Sequence, residues 1–559
     1  MDARTQVEDA FGDLRRHLVE HAPTTATRLG DHSRDGDLDD WSPASVGARD
    51  RDLDALARRL DDLAAVTADD VEADGDRVLL ADTVAALRFD LSGRRAHETD
   101  PLHYLDVATG GLDELLRRDD LPAEPRRRAL ASRLAQVPRL LDQARRGLVA
   151  VPAPHRQVAL RRMPSTIALC GEVVPAFAPE AADAAEAAAD ACRAFAAWLS
   201  DGAEAPAPDW RLGPERWADA LRLALGVRMP AEEVARRARA RLAELQEEAA
   251  ELAGAVLAGA GVADPGRQER VQAALDLVAA DTAPADRLVA TAAAVLDEIV
   301  AFLRGVDLVS LPEDTELVVK EMPAYQQGVA VAFFVPAPPL EEADAAHTYY
   351  LSPIPDDWDA ARAESFLREY NVHALRSVGV HEAYPGHFVQ FAAALRHPRL
   401  LRRALWNSAF AEGWAVYVER EVVAAGYGGA DADRLRLTNV KMDLRAVANA
   451  LLDQGLHADG WDDDTALDLL VRQAYQERAE ADGKLVRGKV TAGQLSTYFV
   501  GGEEMADLRR DVEAAQGPAF SARAFHDAVL AHGTPPFPVL RRALLGDAAV
   551  STPTSRGAP

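Results

Sequence analysis

Over most of its length the chain places apolar residues at helical spacing, and that period decides what it can fold into. Val7 to Glu20, Asp52 to Val66 and Ala181 to Leu199 carry the stripe of a helix buried on one face. Pro230 opens the run AEEVARRARARLAELQEEAAELAGAVL, where its fixed φ suits a first turn. A further helix is predicted over Asp286 to Arg304, and the Ala-rich stretch 181–197 favours packed helix over linker. Only Glu316 to Pro353 breaks the pattern. There ELVVKEMP, GVAVAFFVPAP and HTYYLSP are short runs rich in Val, Phe and Tyr, bounded by Pro and Gly, which predict a small sheet. Helix resumes near Ala361. The expected fold is mainly α: a helical N-terminal half over 1–310, a small sheet with a helical C-terminal half over 311–550, and a disordered tail over 551–559.

A chain of 559 residues with 48% hydrophobic content can bury a large core. Its formal net charge of −28 excludes the basic face that nucleic acid or an anionic membrane needs. Its two cysteines, Cys170 and Cys192, have no paired spacing. That excludes a disulfide framework and a thiolate metal site, and predicts two buried free thiols. The N-terminal segment MDARTQVEDAFGDLRRHLVE is charged and amphipathic, and no run reaches the ~18 apolar residues of a membrane span. A cytoplasmic location is expected.

The chemistry concentrates at Val380-His381-Glu382-Ala383-Tyr384-Pro385-Gly386-His387. In His-Glu-x-x-His, two histidines one turn apart bind zinc and the glutamate serves as base. Here the second histidine is six residues on, roughly 120° away on a regular helix at about 100° per residue. Pro385 and Gly386 supply a break that can return His387 to the metal side. The bare spacing is weak, because His97-Glu98-Thr99-Asp100-Pro101-Leu102-His103 repeats it in a polar stretch without the glycine, where a loop or helix start is expected. The second copy is entered by a predicted helix from Ser365 to Tyr384. It is followed 25 residues after His387 (412 − 387) by Glu412, in the apolar setting Phe410-Ala411-Glu412-Gly413-Trp414. Two histidines and one glutamate leave a fourth position for water, the pattern of a catalytic zinc site.

HEAYPGHFVQ and AFAEGWAVYVE, followed by Asp453-Gln454-Gly455-Leu456-His457, AGQLSTYFVG and FHDAVLAHGTPP, resemble the bacterial family called domain of unknown function 885. That family is regarded as zinc-peptidase-like, with thimet-type oligopeptidases and Taq-type carboxypeptidases as remote relatives. The resemblance implies a two-lobed helical fold with a central channel. It implies zinc held by His381, His387 and Glu412, with Glu382 as base and Tyr498 as oxyanion donor on a loop made flexible by Gly493, Gly501 and Gly502. Asp453 and His457 are implied as second-layer or substrate contacts, and His526 matches without a defined role. Two departures bear on substrate preference: Ala492-Gly493-Gln494 stands where the family has Pro-Gly-Gln, and Arg487-Gly488 where it has Arg-Tyr. The expected activity is hydrolysis of amide bonds in small peptides. Two alternatives stand beside it: hydrolysis of another amide such as an N-acylated amino acid, and a helical binding protein with a vestigial zinc site. The small sheet either offers an edge to an extended substrate or merely covers one flank of the core.

Overall fold

The computed structural model describes residues 2–202, 207–323, 326, 331–341, 345–355 and 358–546. The expected tail at 551–559 lies outside them. The chain forms two compact units: Met1–Leu212 with Pro338–Ala345, and Gly213–Ala337 with Ala346–Pro559. Both are dominated by helix, and among the described residues the only strands form one three-stranded sheet.

In the first unit, helices Ala3–His21, Pro43–Thr67, Val71–Arg88 and Pro101–Arg117 begin at Asp2, Ser42, Asp70 and Asp100. Each of those side chains accepts a first-turn N–H, which satisfies donors a helix start leaves open. Leu340 and Glu341 fasten the segment around them, one by its backbone and one by its carboxylate. Leu340 N donates to Leu29 O at 2.8 Å, and Glu341 accepts from Arg118 Nη2 at 2.7 Å and pairs with His32 Nε2 at 2.8 Å. Cys170 and Cys192 are free and buried as expected, although the fold brings the two thiols into contact. The His97/His103 copy of the motif is a helix start: Asp100 caps Pro101–Arg117, His97 stacks on Trp41 and His103 meets the same ring edge-on.

In the second unit, helix Ala231–Gly259 packs along helix Ala432–His457, and helix Leu288–Gly305 packs on Val372–Glu382. This pairing corrects the expected boundary at 310. The apolar stripe of Ala231–Gly259, from Val234 through Leu257, is buried in the same unit as the motif, so the division falls after Leu212. The sheet is ordered β1 (Leu317–Glu321), β3 (His347–Leu351), β2 (Ala332–Val335), with β1 parallel and β2 antiparallel to the central β3. The run predicted as one helix from Ser365 to Tyr384 is two, Ala360–Glu369 and Val372–Glu382. Asn371 separates them by capping the second, accepting from His373 N and Ala374 N.

Candidate metal centre

The six-residue spacing is met by two helices joined through a sharp turn. Helix Val372–Glu382 ends at Ala383 (φ −118°, ψ −85°), the Tyr384–Pro385 bond is cis, and helix His387–Leu395 begins at once. Gly386 is needed for space rather than for left-handed freedom, since its φ is −70°. A Cβ there would stand 1.9 Å from His381 O and 2.3 Å from Val380 O. The turn is tied to its neighbour by Trp414 Nε1, which donates to Pro385 O at 3.0 Å. The outcome is two imidazoles with ring centres 4.9 Å apart and planes at 86°.

Helix Ser408–Ala424 brings Glu412 to both rings. Its Oε2 lies 3.5 Å from His381 Nε2 and 3.6 Å from His387 Nε2. Zinc bonds of ~2.0–2.2 Å at tetrahedral angles separate neighbouring ligand atoms by about 3.4 Å, so this spacing fits a metal. The three donor atoms all lie within 4.8 Å of one another. Glu412 Oε2 is buried and makes no hydrogen bond, an orphan atom a cation would satisfy. Burial disfavours charge on His381, but its contacts with Glu412 and Glu419 outweigh burial and raise it well above its ordinary value. Burial likewise pushes Glu412 up, and the two histidines overturn that and hold it well below the usual carboxylate range. The cluster is an anionic hollow that favours positive charge.

Two glycines bring the remaining element close. Gly413, beside Glu412, faces Gly501 on helix Thr497–Gln516. A Cβ on Gly413 would come within 2.3 Å of Gly501 C, and one on Gly501 within 1.9 Å of Ala409 O. Backbones in contact at this crossing put Tyr498, one turn before Gly501, near the carboxylate. The negative charge of Glu412 does most to raise the Tyr498 phenol, with burial adding and the Arg487 charge opposing them.

Residues 23–544 match the family described as bacterial protein of unknown function, DUF885. The chain belongs to DUF885. Its fold is similar to a protein of unknown function from Shewanella oneidensis, with TM-score 0.82 and 24% identity over 98% of this chain and 100% of that one. It is also similar to a protein from Colwellia psychrerythraea, with TM-score 0.79 and 17% identity over 97% and 99%. Both are described as candidate lipoproteins, and at these identities the likeness concerns the fold alone. No curated protein matches the chain.

Within this DUF885 chain the expected site residues separate into two groups. His381, His387, Glu412, Glu382 and Tyr498 gather. Glu382 Oε2 accepts from Phe334 N on β2 at 3.2 Å. The other three do not touch the triad. Asp453, fully buried, accepts from Gly493 N at 3.0 Å and Ser496 Oγ at 2.7 Å, and His457 Nε2 donates to Gly488 O at 2.7 Å. Both hold the segment that leads to Tyr498. His526 is a core residue: Leu308 O can only accept, so Nδ1 carries the proton at 2.8 Å, and Nε2 accepts from the Tyr417 hydroxyl at 2.8 Å. Burial pushes that imidazole down to about 4, which keeps it neutral. The flexible-loop expectation is also corrected. Tyr498, Gly501 and Gly502 lie in a helix, the two glycines serve close packing, and only Gly493 (φ 86°) forms a turn.

The sequence reading missed Glu419. Its Oε1 lies 2.7 Å from His381 Nδ1, the carboxylate–imidazole contact that fixes which nitrogen is free to ligate. Glu419 stands seven residues after Glu412 on the same helix, hence on the same face, and that period is the signal it left in the sequence. Among the described residues one other trio has metal-like spacing, His17, His21 and Asp52 in the first unit. There His21 Nε2 already bonds Asp52 at 3.0 Å, and the nearby Arg49 charge disfavours a second cation.

Proposed function

We propose that the chain is a zinc-dependent hydrolase that cleaves amide bonds of small peptides in the cytoplasm. The observation that carries this reading is the join of three parts: two imidazoles and a carboxylate at zinc-ligand spacing, an adjacent glutamate, and the outer edge of a strand touching that glutamate. A zinc ion held by His381, His387 and Glu412 would supply Lewis acidity toward a water and a substrate carbonyl.

The chain's own residues account for the rest. Phe334 N–H engages one oxygen of Glu382 and fixes its direction, which leaves the other oxygen to take a proton from the attacking water and pass it to the leaving amine. Val331 O accepts from Ser352 N toward β3, so by alternation Ala332 and Phe334 turn their backbone polar groups outward. An extended substrate can pair with that edge, which aligns its scissile carbonyl beside Glu382. Tyr498 donates a hydrogen bond to the oxygen that gains negative charge.

Glu382→Gln tests the reading. It should retain zinc and lose turnover of a mixed peptide library. A wild-type protein that binds zinc yet hydrolyses neither peptides nor other amides would make this a binding protein.

A further inference from the structure

Beside Tyr498 the chain collects cations that its mechanism does not use. The protein carries a net charge of −28 and has four lysines in 559 residues, yet two of them, Lys441 and Lys484, stand here. Helix Ala432–His457 presents Lys441 and Arg445 one turn apart, with Asn449 a further turn on. Helix Arg478–Val490 brings Glu480, Lys484 and Arg487 on one face, and helix Ala360–Glu369 ends at Glu369.

Two pairs are satisfied: Lys441 Nζ donates to Glu369 at 2.9 Å and Arg445 Nη2 to Glu480 at 2.5 Å. That leaves two of the four cations, Lys484 and Arg487, without a carboxylate of their own. Arg487 donates to Gln494 at 2.7 Å, and its charge acts on Tyr498. Lys484 has nothing. Its side chain is 4% exposed, its nearest carboxylate oxygen is Glu480 Oε1 at 4.0 Å, already held by Arg445, and it donates no hydrogen bond to any described residue. A buried amino group with so little carboxylate of its own is costly to keep charged, and an anion that arrives from outside would relieve that cost. Arg445 keeps 26% of its side chain accessible, so the cluster is not sealed off from solvent. The link to the metal centre runs through Tyr498, which feels Glu412 on one side and Arg487 and Arg445 on the other.

We propose that Lys484, flanked by Arg445 and Arg487, binds a free carboxylate on the substrate, so that the amide cleaved is the one next to a terminal carboxylate. The C-terminal residue of a peptide and an N-acylated amino acid share this chemistry. The inference rests on the hydrolase reading for its account of cleavage, but the subsite itself does not depend on turnover. Burial, with Arg445 and Arg487 adding to it, pushes the Lys484 ammonium well below its usual range, so a carboxylate that binds there should draw a proton with it.

The test uses zinc-loaded Glu382→Gln protein, titrated calorimetrically with N-acetyl dipeptides as free acids and as C-terminal amides. Free acids should bind ~30-fold or more tightly than amides, as expected for a buried charge pair. Lys484→Met in the same background should erase that preference and leave amide binding unchanged. Lys484→Arg should keep part of it. Melting curves of both variants check folding, and removal of a poorly paired buried amino group should not lower Tm. Equal binding of acids and amides, no binding of either, or a preference that survives Lys484→Met would overturn the subsite. If wild type binds free acids preferentially but hydrolyses nothing, the hydrolase reading fails and the subsite stands. If it hydrolyses acids and amides alike, the reverse holds. Turnover of N-acetyl amino acids against that of N-acetyl dipeptides separates the two sources of carboxylate.

Discussion

Glu419→Gln separates metal binding from mere packing. Glu419 is buried and holds His381 Nδ1 at 2.7 Å, with Asn439 Nδ2 on its other oxygen at 3.4 Å. The carboxylate can only accept, so it fixes the proton on Nδ1 and leaves the Nε2 lone pair toward Glu412 and His387. An amide of the same shape can turn its NH2 toward Nδ1, which favours the tautomer that cannot ligate through Nε2. Loss of such an outer carboxylate weakens metal affinity ~10- to 100-fold, or roughly 1.4–2.7 kcal/mol. The metal-free fold should change little, because Gln keeps the shape of Glu419 and can still hydrogen-bond His381 Nδ1 and Asn439. The assay is zinc affinity by chelator competition, alongside Tm with and without zinc. Weaker zinc binding with an unchanged metal-free Tm supports the argument. A zinc Kd within twofold of wild type would show that Glu419 does not orient the ligand.

Other consequences follow from specific contacts. Tyr498→Phe should lower kcat ~100- to 1,000-fold with zinc content and Tm preserved, since it deletes one oxyanion donor; near-normal turnover would make the tyrosine structural. Gly501→Ala places a Cβ 1.9 Å from Ala409 O, so the Glu412 and Tyr498 helices must part, costing about 1–3 kcal/mol and zinc affinity with it; Gly110→Ala, which meets nothing within 4 Å, is the matched control. His32 is raised from 6.5 to about 9, first by its hydrogen bonds to Asp35 and Glu341. Its contribution to stability is therefore complete below about pH 6.5 and is lost as pH rises through about 9. The Tm difference between wild type and His32→Gln should shrink over that window, and a difference that grows with pH would contradict the assignment.

The mainly helical fold and the small sheet were legible because period-3.6 stripes and short Val/Phe/Tyr runs are local signals. The triad was legible because His381, His387 and Glu412 lie within 32 residues and their spacing carries geometry. What the sequence hid was long-range. Gly501 and Gly502 suggest a loop in isolation, and only the crossing with Gly413 reveals close helix packing. The unit boundary after Leu212 depends on which partner the Ala231–Gly259 stripe finds. Asp453 and His457 share a helix face with the right spacing for a site, but their partners at Gly493, Ser496 and Gly488 lie more than 30 residues on. The His97 copy, identical in spacing, shows how little the spacing says without a carboxylate to complete it.

The central claim, that His381, His387 and Glu412 hold one catalytic metal, is tested most directly by zinc stoichiometry after exhaustive dialysis. The account predicts one zinc per chain in wild type, close to none in His381→Ala, His387→Ala and Glu412→Ala, and no change in His97→Ala or His103→Ala. A wild-type chain that takes up no zinc, or full zinc in any of the three ligand variants, would contradict it.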